Sequence, residues 1–320
     1  MPSYRAPLWL PDGHSQTVWP ALFLAGAVPQ YRRELWPTPD GDEIALDFLV
    51  NDSASTHAPL VVLFHGLEGS SRSHYARALM REVACCGWQG VVVHFRGCGG
   101  QHFRAPRAYH AGDSTEIAWV LQHLARRFGC VLTVGVSLGG NALLKYLGEA
   151  GQRAIPHAAA AISAPLDLTA AGHALERSPI NRQLYTRMFL RSLKPKSLRL
   201  LQHYPHLLDQ HALRTSRTLR HFDHHVTAPL HGFDGVEDYW QRASSKPYLA
   251  HITIPTWVLN ARNDPFLPAH ALPKKQEVSA HVQLEFPKHG GHVGFVSGHF
   301  PGHIQWLPRR IVDFFTQQLS

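Results

Sequence analysis

The sequence predicts an α/β protein with a mostly parallel central sheet, helices on both faces of the sheet and a helical insertion. Short runs of apolar residues alternate with helical patterns along the first half of the chain. The alternation stops between residues 165 and 252 and then resumes. A serine flanked by glycines, Ser137, stands where an apolar run meets a helical pattern. Strands that are apolar throughout are buried on both faces, and helical crossovers pair such strands in parallel.

The predicted strands are mostly continuous apolar runs, and the helices between them are amphipathic. An irregular lead-in covers residues 1–40, and the first strand follows the Asp40-Gly41 turn. Asp113 is expected to cap one helix, with Glu116 at the capping-box position. In chain order, the predicted strands cover residues 43–50, 60–64, 90–95, 131–136, 158–163, 256–259 and 282–286, and the predicted core helices cover 73–86, 113–128, 140–149 and 304–319.

The interruption predicts two domains. Residues 165–252 contain helical patterns and many Leu, Arg and His residues, but no clear run typical of a buried strand. We therefore expect a core domain formed by residues 1–164 and 253–320, and a helical cap formed by residues 165–252.

Composition excludes some classes of protein. The 320 residues are 44% hydrophobic and 17% charged, which indicates a folded chain rather than a disordered one. The formal net charge of +8 favours anionic partners, but the basic residues are scattered and no nucleic-acid-binding motif accompanies them. We expect no nucleic-acid partner.

The cysteines and the apolar stretches indicate a compartment. Cys85, Cys86, Cys98 and Cys130 have no spacing typical of a disulfide framework or a zinc site. Cys85 and Cys86 are expected to be buried in an apolar helix. The sequence shows no secretory signal, and no apolar run reaches the roughly 18 residues of a membrane span. We expect a cytoplasmic protein without integral membrane association; peripheral lipid contact and the oligomeric state stay open.

Ser137 lies in Gly135-Val-Ser-Leu-Gly139, between a predicted buried strand and a helix. This is the context of a nucleophile elbow. The serine of such a turn has unfavourable backbone angles, and the residues two before and two after it must lack bulk. The N-terminus of the following helix favours developing negative charge. Ser137 is therefore predicted to be a nucleophile; the alternative is an ordinary serine in a glycine-rich turn.

Two backbone N–H groups are predicted to bind the oxyanion. His65-Gly-Leu-Glu-Gly69 follows the first long apolar strand, where this architecture supplies one donor, and the residue after the nucleophile supplies the other. We assign these donors to Leu67 and Leu138. His65 is interpreted as a residue that orders the loop by hydrogen bonding, because a better-placed base follows later in the chain.

The acid and the base are expected after the nucleophile, in that order. Asp264 stands just after the sixth predicted strand and is predicted to be the acid; Asp167, after the fifth, is the alternative. His292 follows two glycines that let its loop swing over the sheet edge, and it is predicted to be the base. His289, closer to the end of the last strand, is the alternative.

Two other polar clusters have a less direct interpretation. His221-Phe-Asp223-His224-His225 has side chains that can ligate a metal, but it is interpreted as a solvated loop of the cap, and no metal is expected. Arg96 follows the third predicted strand in a glycine-rich loop. Asp113 is expected either to pair with Arg96 or only to cap its helix.

Several motifs together resemble those of one family. They are Gly13-His-Ser-Gln-Thr-Val-Trp-Pro20, His65-Gly-Leu-Glu-Gly69, Arg96-Gly-Cys-Gly-Gly100, Gly135-Val-Ser-Leu-Gly-Gly-Asn141 and Gly290-Gly-His-Val-Gly-Phe295. The set resembles the YheT-like branch of the α/β-hydrolases over almost the whole chain. The resemblance implies an α/β-hydrolase fold and supports the triad Ser137, Asp264 and His292. The branch includes lipid hydrolases and enzymes that make or cleave medium-chain fatty acid ethyl esters, so the substrate stays open.

These observations predict a serine hydrolase that cleaves carboxylic esters through an acyl-enzyme and needs no cofactor. The leucine and aromatic content of residues 165–252 favours a small-molecule ester with an apolar acyl group, either short or medium in length or part of a lipid. The alternatives are acyl transfer to an alcohol, cleavage of a thioester or an amide, and a catalytically silent binding protein on the same fold. Ser137 excludes the aspartate nucleophile of dehalogenases and epoxide hydrolases.

Overall fold

One mostly parallel sheet organises the chain, of which the computed structural model describes residues 3–101 and 103–319. In chain order, the strands within these residues are β1 (Tyr31–Pro37), β2 (Glu43–Leu49), β3 (Leu60–Phe64), β4 (Gln89–Val93), β5 (Val131–Val136), β6 (Ala158–Ile162), β7 (Thr256–Leu259) and β8 (Val282–Glu285). Their spatial order is β1-β2-β4-β3-β5-β6-β7-β8. β2 runs antiparallel to β1 and β4, and the other neighbours are parallel. The predicted architecture is confirmed.

The central strands are apolar throughout because both faces of the sheet are covered. Every residue of β3, β5 and β6 is buried. Successive side chains of a strand point to opposite faces. Accordingly, Val62 and Phe64 of β3 belong to one apolar cluster, and Val61 and Leu63 belong to another.

Helices form both layers and the long connection between β6 and β7. In chain order, they are α1 (Gly13–Phe23), α2 (His74–Cys85), α3 (Ser114–Ala125), α4 (Leu138–Ala150), α5 (Leu168–Arg177), α6 (Pro179–Asn181), α7 (Arg187–His203), α8 (Gln210–Thr215), α9 (Leu219–Phe222), α10 (Ala228–Leu230), α11 (Val236–Ala243) and α12 (Trp306–Leu319). Single π-helical turns lie at Arg182–Thr186 and Asp223–Thr227. Within the described ranges, none of these helices combines the length and the apolar character needed to cross a bilayer.

The helical connection between β6 and β7 has a small apolar cluster of its own. Its buried members are Leu190, Leu201, Leu208, Leu213, Phe222 and Val226. Helices α5 and α11 instead contribute side chains to the larger cluster on one face of the sheet, among them Ala171 and Trp240. These two helices therefore pack together with the side chains on that face of the sheet.

The expectation of an irregular lead-in at residues 1–40 is wrong. This segment contains α1, whose first turn is capped by the Asp12 side chain, and the edge strand β1. Pro20 lies inside α1 and interrupts the helical pattern in the sequence. β1 is recognised only through its pairing with β2, because none of its residues is fully buried.

The expectation that Cys85 and Cys86 are buried is also wrong. Both side chains are exposed at the C-terminal end of α2. The apolar face of α2 is formed instead by residues such as Leu79 and Val83, which precede the cysteines. The apolar character of the segment therefore reflects the middle of the helix and not its end.

Of the two roles expected for Asp113, the structure shows the helix cap and not the pairing with Arg96. Arg96 Nε lies 2.5 Å from Glu116 Oε2, and Arg96 Nη1 lies 2.9 Å from an Asp40 oxygen. Asp113 pairs with Arg107 at 2.6 Å and accepts the Glu116 N–H at 3.4 Å, as a helix cap does. The Glu116 side chain therefore neutralises a buried guanidinium instead of completing a capping box.

The close contact between α4 and residues 246–251 generates a stability prediction. A Cβ atom added to Gly148 would overlap the Tyr248 carbonyl oxygen and lie 2.6 Å from the Tyr248 Cβ. Alanine is favoured over glycine in a helix by about 1 kcal/mol, but overpacking costs about 1–3 kcal/mol. We expect Gly148→Ala to lower the free energy of unfolding in chemical denaturation by up to about 2 kcal/mol.

Gly129→Ala is the matched control. No atom lies within 4 Å of a Cβ added there, and its φ is not in the left-handed region. It should leave stability unchanged or raise it by about 0.4–1 kcal/mol, because alanine has less freedom in the unfolded chain. If Gly148→Ala were the more stable of the two variants, the contact of α4 with Tyr248 would be looser than described.

Several largely buried histidines are neutral in the folded protein. Burial lowers the pKa of His65 and His231 to about 3, and that of His74 and His110 to about 4. A histidine in the unfolded chain has a pKa near 6.5. Between about pH 6.5 and pH 4 the unfolded chain therefore binds protons that the folded protein does not.

We expect the stability of the protein to be fully present above about pH 6.5 and to fall as the pH decreases below it. Two acids oppose this: burial raises the pKa of Asp223 to about 6, and burial together with Asp113 raises that of Glu116. The histidines outnumber these acids. Each excess proton bound by the unfolded chain costs about 1.4 kcal/mol of unfolding free energy per pH unit. Calorimetry between pH 7 and pH 5 should show a falling Tm.

Single variants test which histidines cause this decline. His231→Gln should make it shallower, because glutamine takes no proton but can still donate to the Ala108 carbonyl oxygen that His231 Nε2 reaches at 3.0 Å. His299→Gln, at an exposed position, should leave the slope unchanged. Equal slopes in the two variants would contradict the role of burial.

Candidate active site

Ser137 connects β5 to α4 in a backbone conformation that few residues adopt. Its φ is 51° and its ψ is −119°. A Cβ at Gly135 would lie 2.6 Å from the Gly139 carbonyl oxygen, and one at Gly139 would overlap the carbonyl oxygen of Phe64. The Ser137 N–H donates to the Ile162 carbonyl oxygen of β6 at 2.8 Å. The glycines therefore have a steric cause: they let α4 and β3 close around the turn.

The side chains of Ser137, His292 and Asp264 form a continuous hydrogen-bonded chain. His292 Nε2 lies 2.8 Å from Ser137 Oγ, and His292 Nδ1 lies 2.9 Å from Asp264 Oδ2. The other Asp264 oxygen accepts the Phe266 N–H at 2.8 Å. Both His292 and Asp264 are buried. A neutral imidazole that donates from Nδ1 and accepts at Nε2 satisfies both contacts.

The alternative acid and base lie apart from this chain. Asp167 caps α5, where its side chain accepts the Ala170 N–H at 2.9 Å. His289 Nδ1 lies 3.5 Å from the side-chain nitrogen of Asn263. Within the described ranges, neither Asp167 nor His289 is hydrogen-bonded to Ser137.

The loop after β3 leaves one backbone N–H without a partner. Its other N–H groups are occupied: Gly66 donates to the Tyr75 hydroxyl, Glu68 donates to the Tyr109 hydroxyl and Gly69 donates to the Gly66 carbonyl oxygen, each at 2.9 Å. In the part of the chain that the structure describes, no acceptor takes the N–H of Leu67 or of Leu138. Both residues line the same cavity as Ser137.

His65, the first residue of this loop, is completely buried. Its Nδ1 donates to the Gly66 carbonyl oxygen at 2.7 Å, and its Nε2 accepts the Phe95 N–H at 3.1 Å. Both ring nitrogens are thus used by the backbone. His65 orders the loop by hydrogen bonding, in the way that the sequence predicts, and it makes no hydrogen bond to Ser137.

An ion pair joins the same loop to the helical connection. Lys196 Nζ, on α7, lies 2.8 Å from Glu68 Oε1, which also accepts the Tyr109 O–H at 2.8 Å. Burial raises the pKa of Tyr109 well above 10, so its hydroxyl remains a donor. Burial also raises the pKa of the neighbouring Cys98 thiol to about 12, which makes it a poor nucleophile. Glu68 has a φ of 57°, so these bonds hold a strained backbone in place.

A mainly apolar cavity opens at Ser137. It encloses about 1100 Å³, including the space open to solvent. The helical connection supplies much of its apolar wall, including Ala171, Leu175, Phe189, Leu219, Phe222 and Val226. Binding sites for small molecules typically have this form, with few polar groups in a concave apolar surface.

The histidine-rich segment lies in helical turns and not in the solvated loop that the sequence suggests. His221 belongs to α9, where its Nδ1 lies 2.9 Å from Ser216 Oγ. Asp223 lines the cavity and accepts hydrogen bonds from Thr227 Oγ1 at 2.7 Å and from Trp240 Nε1 at 2.9 Å. Over residues 3–101 and 103–319, no group of three His, Cys, Asp or Glu side chains is placed to hold a metal ion.

Some residues that support the site have no signal in the sequence. The Phe266 ring lies 4.0 Å from the His292 ring, and Tyr75 and Tyr109 hold the loop after β3. These contacts join distant parts of the chain, so spacing does not reveal them. One signal was present: α1 carries the Gly13–Pro20 motif, and the Thr17 hydroxyl accepts the backbone N–H of His292 at 2.9 Å.

Comparisons with known proteins agree with this geometry. Residues 59–298 match the family model for the alpha/beta hydrolase fold. The chain is 38% identical to "Putative esterase YheT" of Escherichia coli K12, over 96% of this chain and 91% of that protein. It is 29% identical to "Phospholipase ABHD3" of Homo sapiens, over 98% of this chain and 78% of that protein.

A solved structure shares the fold at low sequence identity. The esterase Pf2001 of Pyrococcus furiosus superposes with a TM-score of 0.56 and 14% identity, covering 91% of this chain and 93% of that one. The family match over residues 59–298 and the 38% identity to the Escherichia coli protein lead to one assignment. The chain belongs to the α/β-hydrolase fold family and, within it, to the YheT-like branch.

Proposed function

We propose that the protein hydrolyses carboxylic esters, with Ser137 as nucleophile, His292 as general base and then acid, and Asp264 as the group that orients His292. The observation that carries this proposal is the hydrogen-bonded chain beside an apolar cavity. Ser137 Oγ lies 2.8 Å from His292 Nε2, and His292 Nδ1 lies 2.9 Å from Asp264 Oδ2. A serine hydroxyl within hydrogen-bonding distance of a histidine, which is itself held by a carboxylate, supports activation of the serine as a nucleophile. Relatives named as an esterase and a phospholipase support the same class of reaction.

In the first half of the reaction, Ser137 Oγ attacks the ester carbonyl carbon while its proton passes to His292 Nε2. The carbonyl oxygen becomes an oxyanion, which the N–H groups of Leu67 and Leu138 stabilise. Each such donor is worth on the order of 10²–10³ in rate. Asp264 stabilises the charged imidazole. The tetrahedral intermediate then collapses, the bond to the alcohol breaks, and His292 gives its proton to the leaving alkoxide.

In the second half, water replaces the alcohol. His292 takes a proton from water, and the water oxygen attacks the acyl carbon of the Ser137 ester. When the bond between the acyl carbon and Ser137 Oγ breaks, the proton returns from His292 to Ser137. The acid leaves, and the triad is restored. Every proton is carried by the protein, so the cycle needs no cofactor.

We infer that residues 165–252 act as a cap that shapes the acyl site. The apolar side chains that they place around the cavity favour an uncharged acyl chain, because burying such a chain is favourable by about 0.8 kcal/mol per methylene group. The proposed substrate is therefore a small-molecule ester with an apolar acyl group, from short- or medium-chain esters to lipid esters.

Two alternatives use the same residues differently. An acyltransferase or thioesterase forms the same acyl-enzyme but uses an alcohol as acceptor or a thioester as donor. A silent binding protein has the cavity without turnover. Product analysis with added alcohol separates hydrolysis from transfer, and labelling of Ser137 separates either enzyme from the binding protein.

Ser137→Ala tests the nucleophile. We expect wild-type protein to react with a fluorophosphonate probe and to hydrolyse p-nitrophenyl esters, and the variant to lose labelling completely. Turnover should fall on the order of 10⁴-fold or more, because the attacking oxygen is gone. Gel-based labelling and initial rates give the two readouts.

Ser163→Ala is the matched control. Ser163 follows β6, the strand next to β5, and its φ is also 51°. Its hydroxyl has no hydrogen-bond partner in the described part of the chain. This variant should label and turn over like the wild type. Labelling that survives in Ser137→Ala would contradict the proposed nucleophile.

Ala171→Phe tests the acyl site. The added ring would fill part of the cavity beside α5. We expect kcat/KM for p-nitrophenyl octanoate to fall by about 10-fold or more, because a few displaced methylene groups at about 0.8 kcal/mol each amount to that factor. The value for p-nitrophenyl acetate should change by less than about twofold, since a two-carbon acyl group needs little of the cavity.

Ala174→Phe is the control on the same helix. Ala174 faces a different surface of α5 and does not line the cavity. Its chain-length profile should match that of the wild type. If Ala171→Phe lowered kcat/KM for the octanoate and the acetate by the same factor, the acyl group would bind elsewhere.

A further inference from the structure

Helix α1 lies against the two loops that carry Asp264 and His292, and the mechanism gives it no role. In the sequence, only the resemblance to the YheT-like branch points to its Gly13–Pro20 motif. The polar side chain of Gln16 is only 1% exposed, although glutamine usually lies at the surface. A buried amide must find hydrogen-bond partners, so its contacts indicate what it does.

The Gln16 side chain joins the two loops through a single oxygen atom. Its Oε1 accepts from the Asn263 side chain at 3.0 Å and from the Gly290 N–H at 2.8 Å. Its Nε2 donates to the Leu10 carbonyl oxygen at 2.7 Å, which fixes the orientation of the amide. Asn263 immediately precedes Asp264, and Gly290 lies two residues before His292.

Thr17, the next residue, holds His292 directly. Its Oγ1 accepts the His292 backbone N–H at 2.9 Å and donates to the Gly13 carbonyl oxygen at 2.6 Å. The Asn263 side chain adds a third link between the loops, because its oxygen accepts the Gly291 N–H at 3.2 Å. The backbone from Gly290 to His292 is thus attached to α1 or to the loop after β7.

The packing leaves the loops little room to slide along α1. A Cβ added to Gly294 would overlap the Gln16 carbonyl oxygen, and one added to Gly291 would lie 2.8 Å from the Gln16 carbonyl carbon. A Cβ added to Gly13 would overlap the Asn263 carbonyl oxygen. Glycines therefore permit main chain to touch main chain on both sides of the helix.

We propose that Gln16 and Thr17 are positioning residues that hold the loops of Asp264 and His292 in register for catalysis, an inference that rests on the proposed function. The two loops follow different strands, and the hydrogen bonds of the triad need their side chains placed to within a fraction of an ångström. Neither Gln16 nor Thr17 is proposed to touch the substrate. Both act through the backbone of the loops that they bind.

Thr17→Val is the decisive variant, because it keeps the shape of the side chain and removes its hydroxyl. We expect kcat for a p-nitrophenyl ester to fall on the order of 10- to 100-fold, since a misplacement near 1 Å has effects of that size. KM should stay within about twofold, because the cavity is untouched. Thr17→Ser restores the hydroxyl and should recover most of kcat. Gln16→Leu, which frees both loops, should lose at least as much kcat as Thr17→Val.

Ser15→Ala is the control within the same helix. The Ser15 side chain completes the capping box of α1 with Asp12, and among the described residues it hydrogen-bonds to the Asp12 backbone and to neither loop. It should leave kcat unchanged even if it lowers the Tm. The proposal is overturned if Thr17→Val keeps wild-type kcat, if Ser15→Ala loses kcat in the same proportion, or if Thr17→Ser fails to rescue turnover.

Hydrogen exchange tests the same proposal without turnover. In the wild type, the His292 amide should exchange slowly because Thr17 Oγ1 accepts its hydrogen bond. Thr17→Val should speed exchange in peptides that cover residues 289–296, and Ser15→Ala should not. Unchanged exchange in Thr17→Val would overturn the positioning role. Failure of wild-type Ser137 to react with the fluorophosphonate would instead refute the proposed hydrolase, and the exchange result would still decide whether α1 holds the loop.

Discussion

The left-handed backbone at Ser137 is the constraint on which the rest of the site depends. A non-glycine residue with a φ of 51° carries a cost of about 1–2 kcal/mol, which packing around the turn must offset. The packing that offsets this cost comes from β5 before the serine, α4 after it and the end of β3, which lies against the turn. Gly135 and Gly139 make that closure possible because any side chain there would meet backbone atoms. The serine oxygen and the first N–H of α4 consequently end at the same edge of the sheet.

The parallel strands then bring every other group of the site to this edge. The loops after β3, β7 and β8 all leave the sheet at its carboxyl end, which is where open α/β sheets bind ligands. Parallel pairing alone does not fix those loops to one another, because each is attached to the sheet at one end only. Polar bridges supply the missing links: Tyr75 and Tyr109 for the loop after β3, and Gln16 with Asn263 for the other two. Such bridges are directional, so they set positions more narrowly than apolar contacts do.

Local physics explains how far the sequence predicts the structure. The strands, the core helices and the turn at Ser137 have signals that lie within about ten residues of each other. The order of residues after the strands predicts Asp264 and His292 as the acid and the base. In the structure, His292 lies within hydrogen-bonding distance of both Asp264 and Ser137. The bridge from Gln16 to Gly290 spans 274 positions and has no local signal. For the same reason, the sequence offers Asp113 only as one open possibility for a partner of Arg96, whereas the partner in the structure is Glu116, one helical turn further along the chain.

The division of apolar clusters indicates where this architecture can change its substrate. Val136 and Leu138, on either side of Ser137, belong to the two large clusters on the faces of the sheet, so altering their volume disturbs the turn. Much of the wall of the proposed acyl site comes from helices around a separate small cluster, whose members include Phe222 and Val226. Those positions can alter the cavity while the core keeps its packing. The Lys196–Glu68 ion pair limits this independence, because it fixes α7 to the loop that carries the Leu67 N–H. A change within residues 165–252 that displaced Lys196 would therefore alter the proposed oxyanion site and not only the proposed acyl site.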